Sequence, residues 1–173
     1  VHERTLETLF HELFRQDVMP ECLILKASMV VSGNKNPRQA PVAEVAERTL
    51  RVLERTVPAA LPGIVFLSGG QTDENATAHL DAMNRTGAPW PLTFSYSRAL
   101  QHVALDAWRG AAANVPAAQA AFAHRARMNS LAAKASHTSL CGLSSIRTCS
   151  RSNTGRRSPK KTISIVSPVP VPR

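Results

Sequence analysis

Leu61–Leu80, LPGIVFLSGGQTDENATAHL, reads as one complete strand–turn–helix unit. Ile64-Val65-Phe66-Leu67 is a short apolar run, the signal of a buried strand. Ser68-Gly69-Gly70 closes it, and Thr72-Asp73-Glu74 then offers a cap for a helix holding Ala76, Leu80 and Met83. A strand that is apolar throughout and feeds directly into a helix belongs to a parallel sheet with both faces covered.

The same pattern extends on either side. Residues 3–17, ERTLETLFHELFRQD, repeat Leu6, Leu9, Phe10, Leu13 and Phe14 at three- and four-residue spacing, which predicts an amphipathic helix. Leu23-Ile24-Leu25, ending at Lys26, predicts a first strand. Residues 42–56 return to helix, opened by Pro41 and stopped by Pro58, with Val42, Val45, Ala46, Leu50 and Leu53 on one stripe. Leu92-Thr93-Phe94-Ser95-Tyr96 predicts a third strand, residues 99–108 a third crossover helix, and residues 116–133 an Ala-rich helix started by Pro116. The fold class is α/β, with parallel βα units. A doubly wound sheet and a (β/α)8 barrel both fit, and both place ligands at the carboxyl ends of the strands. Closing a barrel takes eight strands and roughly 250 residues. The body is therefore a small open sheet or the last part of a larger domain.

With 173 residues, 43% of them hydrophobic, the chain can bury a real core. It has no run of 18 apolar residues, so no helical membrane span is expected. The start, Val1-His2-Glu3-Arg4, carries no signal-peptide pattern and is expected to lie inside a longer chain. Three scattered cysteines fit neither a disulfide framework nor a zinc site; reduced thiols in a cytoplasmic setting are expected. The net charge of +9 is unevenly placed. Residues 1–133 hold 13 Lys and Arg against 12 Asp and Glu, a balance of +1, whereas residues 134–173 hold 8 and none, a balance of +8. Two regions follow: a body over 1–133, and a basic Ser/Arg/Pro-rich tail over 134–173. The tail has no periodicity and too little apolar surface to offset its ordering entropy, so it reads as disordered, with an extended Pro-rich end over Val166–Arg173.

Lys26 is the residue with chemistry to offer. It follows three aliphatic residues, and burial among Leu25, Met29 and Val30 would favour the neutral amine that condenses with a carbonyl. The plainer alternative is a strand-end lysine that snorkels to solvent. Ser68-Gly69-Gly70, between a strand and a capped helix, suits an anion: its backbone N–H groups are accessible and the helix dipole favours negative charge. Alone it is equally a simple βα turn. Arg98 opens the helix after the third strand, where its guanidinium could hold a phosphate with two hydrogen bonds or lie solvated in a first turn. Two such loops on consecutive strands match the phosphate site of (β/α)8 barrels. The six histidines show no metal-ligand spacing and are given no role, and Trp90 and Trp108 read as packing residues.

Three segments carry a family likeness. Residues 21–33, ECLILKASMVVSG, resemble the Schiff-base lysine strand of class I fructose-bisphosphate aldolases, usually Leu-Leu-Lys-Pro-Asn-Met-Val. Residues 57–85, VPAALPGIVFLSGGQTDENATAHLDAMNR, resemble the family's Phe-Leu-Ser-Gly-Gly-Gln segment. Residues 89–110, PWPLTFSYSRALQHVALDAWRG, resemble its Leu-Thr-Phe-Ser-Tyr-Gly-Arg-Ala-Leu-Gln segment. The likeness spans about residues 1–133. It implies a partial (β/α)8 barrel: the last three βα units plus a C-terminal helix, followed by the tail. It implies a glycolytic lyase that cleaves fructose 1,6-bisphosphate to dihydroxyacetone phosphate and glyceraldehyde 3-phosphate without a metal or other cofactor. Its partner is then a small-molecule sugar phosphate, and the full-length family forms homo-oligomers.

Residue by residue, the likeness implies that Lys26 forms the imine. Ser68 and the Gly69 N–H would bind the C1 phosphate, Arg98 would neutralise it, and Ser95 and Ser97 would line the same loop. Two departures stand out: Ala27-Ser28 replaces Pro-Asn, and Ser97 replaces the glycine before the arginine. The family's acid–base carboxylates lie on strands this chain does not match, so the chain is expected to be truncated and catalytically poor. Residues 135–173 resemble an out-of-frame extension more than a family tail. The alternative from a different class is a non-catalytic basic binding protein that uses the tail. The tail lacks the aromatic interleaving of nucleic-acid binders, which counts against that partner.

Overall fold

The computed structural model describes residues 1–135 and the backbone of residues 161–164. Helix α1 (His2–Arg15) buries Leu6 and Phe10, and a short 3-10 turn (Pro20–Cys22) leads into β1 (Leu23–Ala27). Three units follow: α2 (Val42–Thr56) and β2 (Ile64–Phe66), α3 (Asp73–Thr86) and β3 (Leu92–Phe94), then α4 (Arg98–Trp108). A second 3-10 turn precedes α5 (Val115–Lys134), and Lys161–Ser164 form β4. The sheet is parallel throughout, in the order β3-β2-β1-β4. No helix among the described residues is long and apolar enough to cross a membrane.

The register sets one row across the sheet. Lys26 pairs with Val65, and Val65 with Thr93; on either side of that row Leu25 aligns with Ile64 and Leu92, and Ala27 with Phe66 and Phe94. The ladder continues past the strand ends, with the Leu67 N–H donating to the Ala27 carbonyl at 3.0 Å and the Ser95 N–H to the Phe66 carbonyl at 2.8 Å.

The expectation of a sheet covered on both faces does not hold among the described residues. Leu23, Leu25 and Ala27 are buried, whereas Ile24 and Lys26 between them are half-buried; Val65 and Thr93 are half-buried in the same way. The helices pack Leu6, Phe10, Leu50, Leu53, Leu80 and Met83 against Leu25, Ile64, Phe66 and Leu92 on one face. Each fully buried side chain of this size contributes about 1.5–3 kcal/mol, so this face fixes the register. An apolar run cannot distinguish a strand covered once from one covered twice when its second face is aliphatic too, as Ile24 and Val65 are.

That alternation also corrects the environment expected for Lys26. Leu25 and Met29 are buried to 2% and 1% exposure under the helices, and side chains one position along a strand face the other way. Lys26 therefore lies on the less covered face, not among them. Trp108, read as a packing residue, is 43% exposed on α4, while Trp90 is buried and donates its Nε1 proton to the Pro58 carbonyl at 3.0 Å.

The tail reading also needs a correction. Helix α5 runs through Lys134, and Lys161–Ser164, expected to lack structure, pair in parallel with Leu23–Lys26. Without that pairing this edge of β1 would present unpaired N–H and C=O groups, which the Lys161–Ser164 backbone meets. The remainder of the tail reading, including the Pro-rich end, lies outside the described residues.

Candidate active site

Three segments converge at the carboxyl end of the sheet because parallel strands in register must end on the same side. Lys26 is the penultimate residue of β1, Ser68 and Gly69 follow β2 by two and three residues, and Ser95, Ser97 and Arg98 follow β3. All six residues singled out from the sequence thus belong to one edge of the fold. Lys26, Gly69 and Ser95 are half-buried, Ser68 is buried, and Ser97 and Arg98 are exposed.

The second and third segments touch directly. The Ala99 N–H, in the first turn of α4, points at the Ser68 Oγ over a long 3.5 Å. The hydroxyl, 7% exposed, thereby ties the loop after β2 to the start of α4. Ser97 is the N-cap residue of α4, with backbone in the right-handed region and no side-chain cap, and Arg98 is the first helical residue. In that first turn the Ala99 N–H goes to Ser68 Oγ and the Leu100 and Gln101 N–H groups to the Ser97 carbonyl, so an anion here would be met chiefly by the positive end of the helix dipole. Gly70 has φ of +73°, and a Cβ there would stand 3.2 Å from Asn34 Oδ1 on the loop after β1. The glycine is thus required by its positive φ, while the exposed Asn34 side chain can give way.

Thr72 caps α3, its hydroxyl accepting from the Asn75 N–H at 3.2 Å. Just before it, Gln71 is gripped by His79, whose Nδ1 lies 2.6 Å from Gln71 Oε1. Burial holds the His79 imidazole below its ordinary titration range. Tyr96, between Ser95 and Ser97, is buried and donates its phenol proton to the Ala76 carbonyl at 2.7 Å; burial raises that phenol above its ordinary value.

Several of these supporting residues were not singled out from the sequence. The sequence gives His79 no metal-ligand spacing and marks helix α5 only as Ala-rich. In fact α5 buries Arg125, Asn129 and Ala132, spaced by four and three residues on one face. That spacing of an arginine and an asparagine along an alanine-rich helix is a signal the sequence does carry. His102, also given no role, sits 3.5 Å from Asp106 and 3.9 Å from Asp73.

An open groove of about 540 Å³ lies beside this edge, lined by Val30, Val31, Ser32, Asn36, Arg38, Ala40, Glu44 and Arg48. It includes none of the six site residues. None of the described His, Cys, Asp and Glu side chains form a group of three or more able to hold a metal ion.

Comparison with known proteins agrees with the motifs along this edge. The family model described as glycolytic fructose-bisphosphate aldolase class-I matches residues 1–150, past the end of α5. A probable fructose-bisphosphate aldolase class 1 of Xanthomonas axonopodis pv. citri is 54% identical over 135 residues, covering 77% of this chain and 40% of the relative. Fructose-bisphosphate aldolase B of Gallus gallus is 48% identical over 136 residues, 78% of this chain and 37% of its own. Among solved structures, fructose-bisphosphate aldolase from Plasmodium falciparum, in complex with TRAP and a small-molecule inhibitor, superposes with a TM-score of 0.75 at 42% identity, covering 78% of this chain and 39% of that one. The chain spans about 40% of the length of the curated relatives it matches. A family match over most of the chain, on the same three strand-end motifs that the sheet gathers, makes this chain a member of the class I fructose-bisphosphate aldolase family.

Proposed function

We propose that the three βα units are an arc of a (β/α)8 barrel, and that its strand-end edge is the imine-forming half of an aldolase site. The observation that carries the reading is the register. Lys26 shares one row with Val65 and Thr93 on the less covered face, at the sheet end that also bears the Ser68–Gly69 and Ser95–Arg98 loops. In a barrel that face is the interior, and the ligand lies at the carboxyl ends of the strands. The barrel portion would close with α5, leaving the segment beyond it as an extension whose Lys161–Ser164 strand adds to β1.

The chemistry follows from the groups available. The neutral Lys26 amine adds to the ketone carbon of dihydroxyacetone phosphate or fructose 1,6-bisphosphate; water then leaves and an imine forms. Its protonated form draws the electron pair released when the C3–C4 bond of the hexose breaks. Ser68 and the Gly69 N–H would hold the C1 phosphate, with Arg98 supplying a counter-charge and Ser95 and Ser97 lining the loop. Cleavage additionally needs a base on the C4 hydroxyl, and these six residues include no carboxylate. The isolated chain is accordingly an imine-forming polypeptide with poor lyase turnover.

The test uses the full chain with dihydroxyacetone phosphate and borohydride, read by intact mass. One saturable reduced addition per chain, suppressed by inorganic phosphate, is expected, with cleavage of fructose 1,6-bisphosphate far slower than in a full-length relative. Additions that scale with ketone concentration without saturating, and that ignore phosphate, would reject the site.

A further inference from the structure

We infer that Arg125 is a positioning residue that holds the two phosphate loops in a fixed relation to each other; this rests on the reading of those loops as a ketose-phosphate site. Arg125 belongs to α5 and is 7% exposed. Its Nε donates to the Ala99 carbonyl at 3.1 Å, in the first turn of α4. One terminal nitrogen donates to the Asp73 carbonyl, at the first residue of α3, and to Thr77 Oγ1 at 2.7 Å. A single planar guanidinium therefore spans the starts of α3 and α4, the two helices that follow the Ser68–Gly69 and Ser95–Arg98 loops.

The chemistry of the partners argues that this arrangement is specific. All three acceptors are uncharged. A buried cation paired only with neutral groups costs several kcal/mol relative to a packed apolar side chain, so stability alone does not call for arginine here. Helix N-termini also carry partial positive charge; the first turn of α3 offsets it with Asp73 and Glu74, whereas the first turn of α4 has no acidic residue. A phosphate dianion bound between the two loops would supply the counter-charge that the start of α4 lacks. The anchorage is firm on the α5 side: Thr77 Oγ1 lies 2.6 Å from Asn129 Oδ1, and Asn84 donates to the Ala132 carbonyl at 3.0 Å. Arginine fits where lysine would not, because its fork reaches carbonyls on two different helices at once.

The test compares the full chain with Arg125→Met, Arg125→Lys and Thr77→Val. Each is treated with borohydride and either dihydroxyacetone phosphate or dihydroxyacetone, and the reduced adduct is quantified on the peptide containing Lys26. The readout is the ratio of the two rates, taken under conditions where circular dichroism shows each variant fully folded, because unfolded chain traps both ketones alike. The wild-type chain is expected to prefer the phosphorylated ketone. Arg125→Met should lower that preference on the order of tenfold while leaving trapping of dihydroxyacetone unchanged. Arg125→Lys should restore part of it, and Thr77→Val should fall between. If Arg125→Met does not fold, the Lys and Val variants decide. An unchanged ratio, or an equal fall with both ketones, overturns the positioning role alone. A wild-type chain with no preference overturns the phosphate reading itself and this inference with it.

Discussion

Adjacent glycines in the loop after β2 should respond unequally to alanine. Gly70 has φ of +73°, and its added Cβ would stand 3.2 Å from Asn34 Oδ1. An L-residue in the left-handed region costs about 1–2 kcal/mol, and the exposed Asn34 side chain can withdraw, so strain dominates. For a chain of this size that is a fall in Tm of roughly 2–8 °C. At Gly69 the added Cβ would meet only Leu67 Cδ1, at 2.9 Å, the far end of a flexible side chain. Moving that side chain costs about 0.5–1.5 kcal/mol, and the reduced freedom of the unfolded chain returns about 0.4–1 kcal/mol. Gly69→Ala should therefore leave Tm within about 4 °C of wild type, with a mid-range change of about 1 °C. It should nonetheless weaken phosphate-dependent trapping, because the methyl crowds an N–H proposed to bind the anion. Thermal unfolding followed by far-ultraviolet circular dichroism, with borohydride trapping alongside, reads both effects. If Gly69→Ala is the more destabilised of the two, or keeps its full phosphate preference, the loop reasoning is wrong.

Three further outcomes follow from particular contacts. Tyr96→Phe removes the donor that satisfies the Ala76 carbonyl at 2.7 Å in a buried setting, so urea denaturation should show a loss of about 1–2 kcal/mol. His79 is held below its ordinary value of 6.5 by burial, so the unfolded chain takes up that proton first. Its contribution to stability is complete above pH 6.5 and is lost as pH falls below that value towards the folded one, at no more than about 1.4 kcal/mol per pH unit. His79→Gln should remove that part of the slope between pH 7 and pH 5, and matching slopes in the two proteins would contradict it. Ser97 has φ of −98° and needs no glycine for conformation, so Ser97→Gly should change stability by only a few tenths of a kcal/mol. By clearing a side chain from the loop it should raise the preference for a phosphorylated ketone over dihydroxyacetone; a lower preference would mean that the Ser97 hydroxyl itself binds.

The order of strands and helices was legible because each element announces itself locally. The Leu50–Leu53 stripe, the Thr72 cap and the Ile64–Phe66 run depend on near neighbours only, and the structure reproduces them within a residue or two. The strand-end residues were legible for a topological reason: in a parallel sheet every strand's carboxyl end lies on one side. Which face of the sheet is covered was not legible, since Ile24 and Val65 are aliphatic whether or not anything packs on them. Nor was the role of Arg125, whose partners Asp73, Thr77 and Ala99 lie 26 to 52 residues away. Pairing of Lys161–Ser164 with β1 was hidden for the same reason, being a contact across most of the chain.

The most direct test of the imine site is where a trapped ketone ends up. The chain carries other lysines, among them Lys35 and Lys134, which are exposed and equally nucleophilic when deprotonated. After reaction of the folded chain with dihydroxyacetone phosphate and borohydride, peptide mass spectrometry should find the reduced adduct on Lys26 at low ketone concentration, and Lys26→Arg should abolish it without labelling elsewhere. Label distributed over Lys35, Lys134 and the basic tail, with Lys26 unmodified in a folded chain, would leave the family kinship intact and remove the chemistry proposed for it.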